Sequence, residues 1–109
     1  MSTAGDMYDG DDIDRSRDLA RLYGCEFVDL NGFHISRELL QKVPVELMFR
    51  YNFVPLEETM DGRLAIAVAV PSQLMMIEEL KLLLRRGVVT RVSPSRQIDA
   101  VLKRTEQGR

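Results

Sequence analysis

The chain has 109 residues, 45% hydrophobic and 29% charged, with no tryptophan, a size that makes one compact domain and excludes a multidomain enzyme. Fifteen basic against 17 acidic residues leave a formal net charge of −2, so the mean charge points to neither a nucleic-acid nor a membrane partner. Cys25 is alone and cannot form an internal disulfide, the longest apolar run is Leu64 to Val70, far short of the ~20 residues of a bilayer span, and the amino terminus lacks the basic start and apolar core of a secretory signal; the expectation is a cytoplasmic protein without direct membrane insertion.

Residues 1–14 hold five acids and no base. This stretch is short of apolar side chains to bury, so a disordered acidic tail is expected there, with the folded domain over residues 15–104. From Ser16, the spacing of Leu19, Leu22 and Tyr23 predicts a short helix that stops at Gly24, a residue suited to positive φ. Glu26 to Leu30 alternates and predicts a strand, broken by Asn31-Gly32. Ser36 is placed to cap a helix carrying Leu39, Leu40 and Val43, and Pro44 opens a second one carrying Leu47, Met48 and Tyr51. Phe53 to Thr59 and Leu64 to Val70 flank Asp61-Gly62, which predicts a hairpin. Pro55 cannot donate to a ladder, so the first strand is an edge or is bulged, whereas the second is apolar on both faces and should be central. Ala65, Ala67 and Ala69 share one of its faces, a stripe that would let a helix approach closely.

Pro71-Ser72 starts a helix expected to reach about Arg86, with Ser72 as cap and Gly87 as stop. Val88 to Val92 is a further strand. Ser93-Pro94 supplies a cap and first-turn proline for a last helix with Ile98, Val101 and Leu102 inward, and residues 105–109 should fray. The sum is a small α/β sandwich, a three- to four-stranded mixed sheet covered by helices.

Chemistry-bearing motifs are missing. The chain has no phosphate-binding glycine loop, no dinucleotide fingerprint, no H-E-x-x-H and no paired cysteine, so no cofactor, no metal and no catalytic residue are expected. His34 has no acid-rich or cysteine-rich pair to make it a base or ligand, and Cys25 reads as a small buried filler beside the opposing charge of Glu26. On the Ser72–Arg86 helix, Met76, Ile77, Leu80, Leu83 and Leu84 fall on one face, which leaves Met75 and Leu82 nearly opposite, between Glu78 and Glu79. Met75 and Leu82 are either covered by a neighbouring tail or helix, or isolated exposed residues, or a protein-docking ridge that the acidic rim of Glu78 and Glu79 would orient. Basic residues gather from Lys81 onward, where eight stand against two acids. Arg85, Arg86, Arg91 and Arg96 are therefore candidate anion ligands, with solvated faces or a tether for the acidic tail as the other readings. No aromatic platform accompanies them and no nucleic acid is expected as a partner.

Leu19-Ala20-Arg21-Leu22-Tyr23-Gly24-Cys25-Glu26-Phe27-Val28-Asp29-Leu30, Pro44-Val45-Glu46-Leu47 with Tyr51-Asn52-Phe53-Val54-Pro55-Leu56, and Asp61-Gly62-Arg63-Leu64 leading to Ala67-Val68-Ala69-Val70-Pro71 form an ordered set. Ile77-Glu78-Glu79-Leu80, Gly87-Val88-Val89 and Ile98-Asp99-Ala100-Val101-Leu102 continue it. The set closely resembles the amino-terminal domain of type II secretion and type IV pilus assembly ATPases, over roughly Asp18 to Arg104. The resemblance implies a non-catalytic adaptor that docks a motor ATPase onto the cytoplasmic part of an inner-membrane assembly platform, with the motor outside this chain. Relatives carry tandem Arg-Leu-Gly-x-x-Leu motifs that bind cyclic di-GMP; Arg21-Leu22-Tyr23-Gly24 matches with an extra tyrosine and in a single copy, which argues against carrying that ligand over. The alternative is a sensor of cyclic di-GMP or another phosphate ligand through the four arginines.

Overall fold

A computed structural model describes the backbone of residues 3–108 and the side chains of residues 12–108. The elements follow as α1 (Thr3–Tyr23), β1 (Glu26–Phe27), α2 (Arg37–Lys42), α3 (Val45–Tyr51), β2 (Val54–Glu58), β3 (Leu64–Val68), α4 (Leu74–Leu84), β4 (Val88–Val92) and α5 (Ser95–Gln107). The four strands form one mixed sheet in the order β1-β4-β3-β2. Only the β2–β3 hairpin is antiparallel; β4 runs parallel to both β3 and β1.

The hairpin forms as its turn residues dictate. Gly62 takes φ +87° and its N–H donates to the Thr59 carbonyl, while Thr59 N–H donates to Arg63 O at 2.8 Å. Pro55 sits on an edge strand and beside a register shift between Pro55 and Glu57, as a residue without an N–H requires. β3 is central and buried throughout. Leu64, Ile66, Val68 and Phe53 pack with Ile77 and Leu80 of α4 and with Ile98, Val101 and Leu102 of α5 in one core.

Local signals also set several helix ends. Gly24, at φ +67°, ends α1 with Cys25 N–H bonded to Ala20 O and Gly24 N–H to Arg21 O, the paired six-to-one and five-to-two bonds of a left-handed stop. Ser36 Oγ accepts from Leu39 N–H at 3.2 Å and caps α2. Other ends differ from expectation. α4 starts at Leu74 rather than at Ser72, and Gln73 precedes it without a side-chain cap bond. It stops on Arg85 at φ +57°, not on Gly87; a Cβ on Gly87 would stand 2.9 Å from Arg63 Cγ, so close approach of that side chain is what favours glycine there. Ser93 is no cap either: it is fully buried, and its hydroxyl donates to Val28 O at 2.6 Å. β1 is two residues long, shorter than the expected strand, because past Val28 N–H, which donates to Val92 O, the chain leaves the ladder and Leu30 N–H is taken by Gln97 Oε1 of α5.

α1 takes in residues 3–14 as well as the expected turn around Leu19. Of the five acids at that end, the side chains of Asp12 and Asp14 are described; the expectation of an acidic tail bears mostly on side chains outside the described residues. α5 runs past Arg104 to Gln107, and Arg109 lies outside the described residues.

Candidate functional site

α4 follows the central strand and is fixed at three points. Ile77 and Leu80 are buried in the core. The Tyr51 hydroxyl at the end of α3 donates to Glu79 Oε1, and that bond to a carboxylate, before burial and the Glu79 charge, raises the Tyr51 pKa above the ordinary phenol value. Beyond the carboxyl end of α4, Arg86 donates to Glu58 Oε2 and to Gly62 O, both at 2.8 Å. A helix held this way presents its outer side chains with little freedom to turn away.

Those outer side chains are apolar. Met75 is 88% exposed, Leu82 79% and Leu74 69%, and with Glu78 and Glu79 they line a shallow trough of about 340 Å³. The structure thus brings together the four residues read from the helical pattern and adds Leu74, which the expected start at Ser72 had hidden within the first turn. The signal was present: Leu74, Glu78 and Leu82 follow at intervals of four. Leu83, expected to face inward, is half exposed. Glu78 is held by Lys81 at 2.8 Å and Glu79 by Tyr51, so the acidic rim has a fixed geometry. A wider groove of about 640 Å³ adjoins the trough through Leu74 and Met75 and is lined by Arg50, Tyr51 and Ser72.

The four candidate anion-binding arginines are not brought to one place. Arg85 and Arg86 precede β4 and Arg96 follows it, so roughly 13 Å of strand separates the two ends. Arg86 is engaged by Glu58, whose carboxyl is held below its usual range by hydrogen bonds from Arg86 first and Lys42 second. Arg91 is 19% exposed and lies between two carboxylates, with Nη1 2.8 Å from Glu57 and Nε 3.1 Å from Glu26. The second contact is an ion pair without hydrogen-bond alignment, since the buried Nε has no hydrogen-bond partner. Register explains the reach: Arg91 pairs with Ala67 and Glu57 with Ala65, so the guanidinium crosses β3 above the alanine stripe, where small side chains leave it room. Arg96 Nε stands 3.6 Å from Asp12 of α1.

Cys25 is half-buried rather than enclosed, with Sγ 3.8 Å from Thr90 Oγ1, and His34 is exposed in its loop. Among the described residues no group of three or more His, Cys, Asp or Glu is placed to hold a metal, and no helix is long and apolar enough to cross a membrane.

Residues 23–109 match the MshEN domain. The chain belongs to the MshEN domain family. The amino-terminal domain of XpsE has the same fold, at 20% identity and a TM-score of 0.67 over 85% of this chain and 65% of that one. So does MshE solved with cdg (cyclic di-GMP), at 22% identity and a TM-score of 0.71 over 82% of this chain and 64% of that one. The chain therefore spans just under two thirds of those structures. No curated protein matches it. Membership bears out the resemblance to the amino-terminal domain of type II secretion and type IV pilus ATPases, and the MshEN domain here has the mixed four-stranded sheet expected of it.

Proposed function

We propose that this MshEN domain is a non-catalytic docking module of the type II secretion and type IV pilus ATPase class, linking a motor ATPase to the cytoplasmic part of an inner-membrane assembly platform. On this reading it is cytoplasmic and reaches the membrane through its partner. The observation that carries the proposal is the apolar ridge of Met75 and Leu82, exposed on a helix anchored at its middle and beyond its carboxyl end and rimmed by Glu78 and Glu79. Fixed apolar anchors with a polar rim suit a protein partner.

Burying Met75 and Leu82 would contribute roughly 1.5–3 kcal/mol each. Met75→Glu with Leu82→Glu should therefore weaken capture of the platform protein's cytoplasmic part by about 100-fold or more, with the circular dichroism spectrum and melting temperature of the domain unchanged. Unchanged capture by a folded double variant would refute the ridge.

A second reading, a cyclic di-GMP or phosphate-ligand sensor, draws support from the fold shared with MshE solved with cdg. It is the weaker one here, because Arg86 and Arg91 are already neutralised by carboxylates and the four arginines do not converge. Calorimetric titration with the dinucleotide decides it; a flat trace at high protein concentration removes the sensor reading.

A further inference from the structure

α4 exposes two pairs of apolar side chains, Leu74-Met75 and Leu82-Leu83, with Glu78-Glu79 midway between them. The spacing is symmetrical, and the two apolar pairs stand about 12 Å apart along the helix. A stripe with this symmetry could meet itself, since an antiparallel two-fold pair would set Leu74 against Leu83 and Met75 against Leu82 across the axis. Charge and area both oppose that arrangement. The axis would pass between Glu78 and Glu79, so four carboxylates would crowd together with only the Lys81 of each copy to offset them. Four apolar side chains also fall well short of the roughly 800 Å² per partner that a stable pair of chains buries.

The same charges suit a basic partner. Glu78 is paired with Lys81, whereas Glu79 accepts from the neutral Tyr51 hydroxyl and forms no ion pair among the described residues. Arg50 lines the adjoining groove beside Tyr51, a positive charge that confines the favourable place for a cation to the middle of the stripe. Backbone chemistry then selects a helix over an extended segment. The outer face of α4 offers no unpaired amides or carbonyls, so an extended chain laid there would leave its own backbone groups against apolar side chains, while a helix satisfies them internally.

We propose that the ridge receives an amphipathic helix of the partner protein whose contact stripe reads apolar, basic, apolar at intervals of about four residues, with the Lys or Arg of the middle position paired to Glu79. The assignment rests on the docking reading and names the element that docks.

The test titrates the full ¹⁵N-labelled chain with three alanine-based peptides of about 16 residues. One carries the stripe Leu-Lys-Leu, the second Leu-Glu-Leu, and the third Leu-Lys-Leu interrupted by a central proline. The lysine peptide should give saturable shifts at amides from Leu74 to Leu82 and bind about fivefold more tightly than the glutamate peptide, the worth of an exposed ion pair. Salt at about 1 M should erase that preference. Glu79→Gln, which keeps an acceptor for Tyr51, should cut it to about twofold. The proline peptide should not saturate, because it cannot hold a helix. Equal affinity of the lysine and glutamate peptides, no saturable shift with the lysine peptide at millimolar concentration, or a proline peptide that binds as well as its parent would each overturn the proposal. So would a dimer of the free chain in sedimentation velocity that Met75→Glu abolishes, since a second copy would then be the occupant. Capture of the platform protein separates the two readings. Capture lost in the Met75→Glu, Leu82→Glu variant together with equal peptide affinities sinks the helix stripe alone, whereas capture unchanged in that variant sinks the docking reading itself.

Discussion

Ser93→Ala should be one of the costliest single-atom deletions in the domain. The hydroxyl donates to Val28 O at 2.6 Å, joining the end of β1 to β4, while Ser93 N–H donates to Val68 O at 3.1 Å and prolongs the β3–β4 ladder. The side chain is fully buried, so water has no access to replace the lost donor. Leaving the Val28 carbonyl short of a partner costs about 1–3 kcal/mol, which for a domain of this size lowers the melting temperature by roughly 5–15 °C. Urea unfolding monitored by circular dichroism measures the free energy, and Ser95→Ala, at an exposed neighbouring position, serves as control with an expected change within about 0.5 kcal/mol. Loss of a helix cap would cost a similar amount, so amide exchange separates the two roles. Protection of Val28 N–H, bonded to Val92 O, should fall first, with the opening turn of α5 unaffected. A Ser93→Ala cost below about 0.5 kcal/mol, or loss of protection in α5 instead of β1, would refute the reasoning.

Two further changes probe the frame that holds α4. Glu58 has a folded-state pKa below the ordinary 4.5 because Arg86 and Lys42 donate to its carboxylate, so its contribution is present above the unfolded value and lost as pH falls through the folded one. The gap in melting temperature between the parent chain and Glu58→Gln should therefore close as pH is lowered from about 6 to about 3; a gap independent of pH would contradict the assignment. Arg85 holds a left-handed conformation at φ +57° where α4 ends, a geometry that costs a non-glycine residue about 1 kcal/mol. Arg85→Gly should accordingly stabilise the domain by roughly 0.5–1 kcal/mol in urea unfolding, and destabilisation would show that the side chain has a structural role.

The features legible in the sequence are those decided within a few residues. Asp61-Gly62 between two apolar runs, Pro55 at the bulged edge, Gly24 behind α1 and Ser36 three residues before Leu39 each act through their own backbone, and each lies where it was expected. Asn52 at the end of α3 takes positive φ, as its short polar side chain allows, whereas Arg85 takes it with no residue preference that would reveal it. Ser93 shows the same limit: a serine before proline reads as a cap, yet its partner Val28 is 65 residues away. Of the candidate site, Met75 and Leu82 were found because helical period alone sets them apart from the buried face. Leu74 needed the true start of α4. The pairing of Arg91 with Glu57 depends on the register of three strands, and the composition of the basic end carries no trace of it.

The order β1-β4-β3-β2 also bears on how the chain assembles during synthesis. β4 is the last strand to leave the ribosome and occupies an interior place, with β1 bonded to nothing else in the sheet. Until residue 92 has emerged, the nascent domain has one hairpin and an unattached two-residue strand, and its folding waits on a closure between segments more than 60 residues apart, a slow, non-local step. Truncations within β4 should therefore abolish the fold as a whole rather than trim it, whereas a break between β3 and β4 leaves each fragment with a strand, β1 in one and β4 in the other, that only the other can pair.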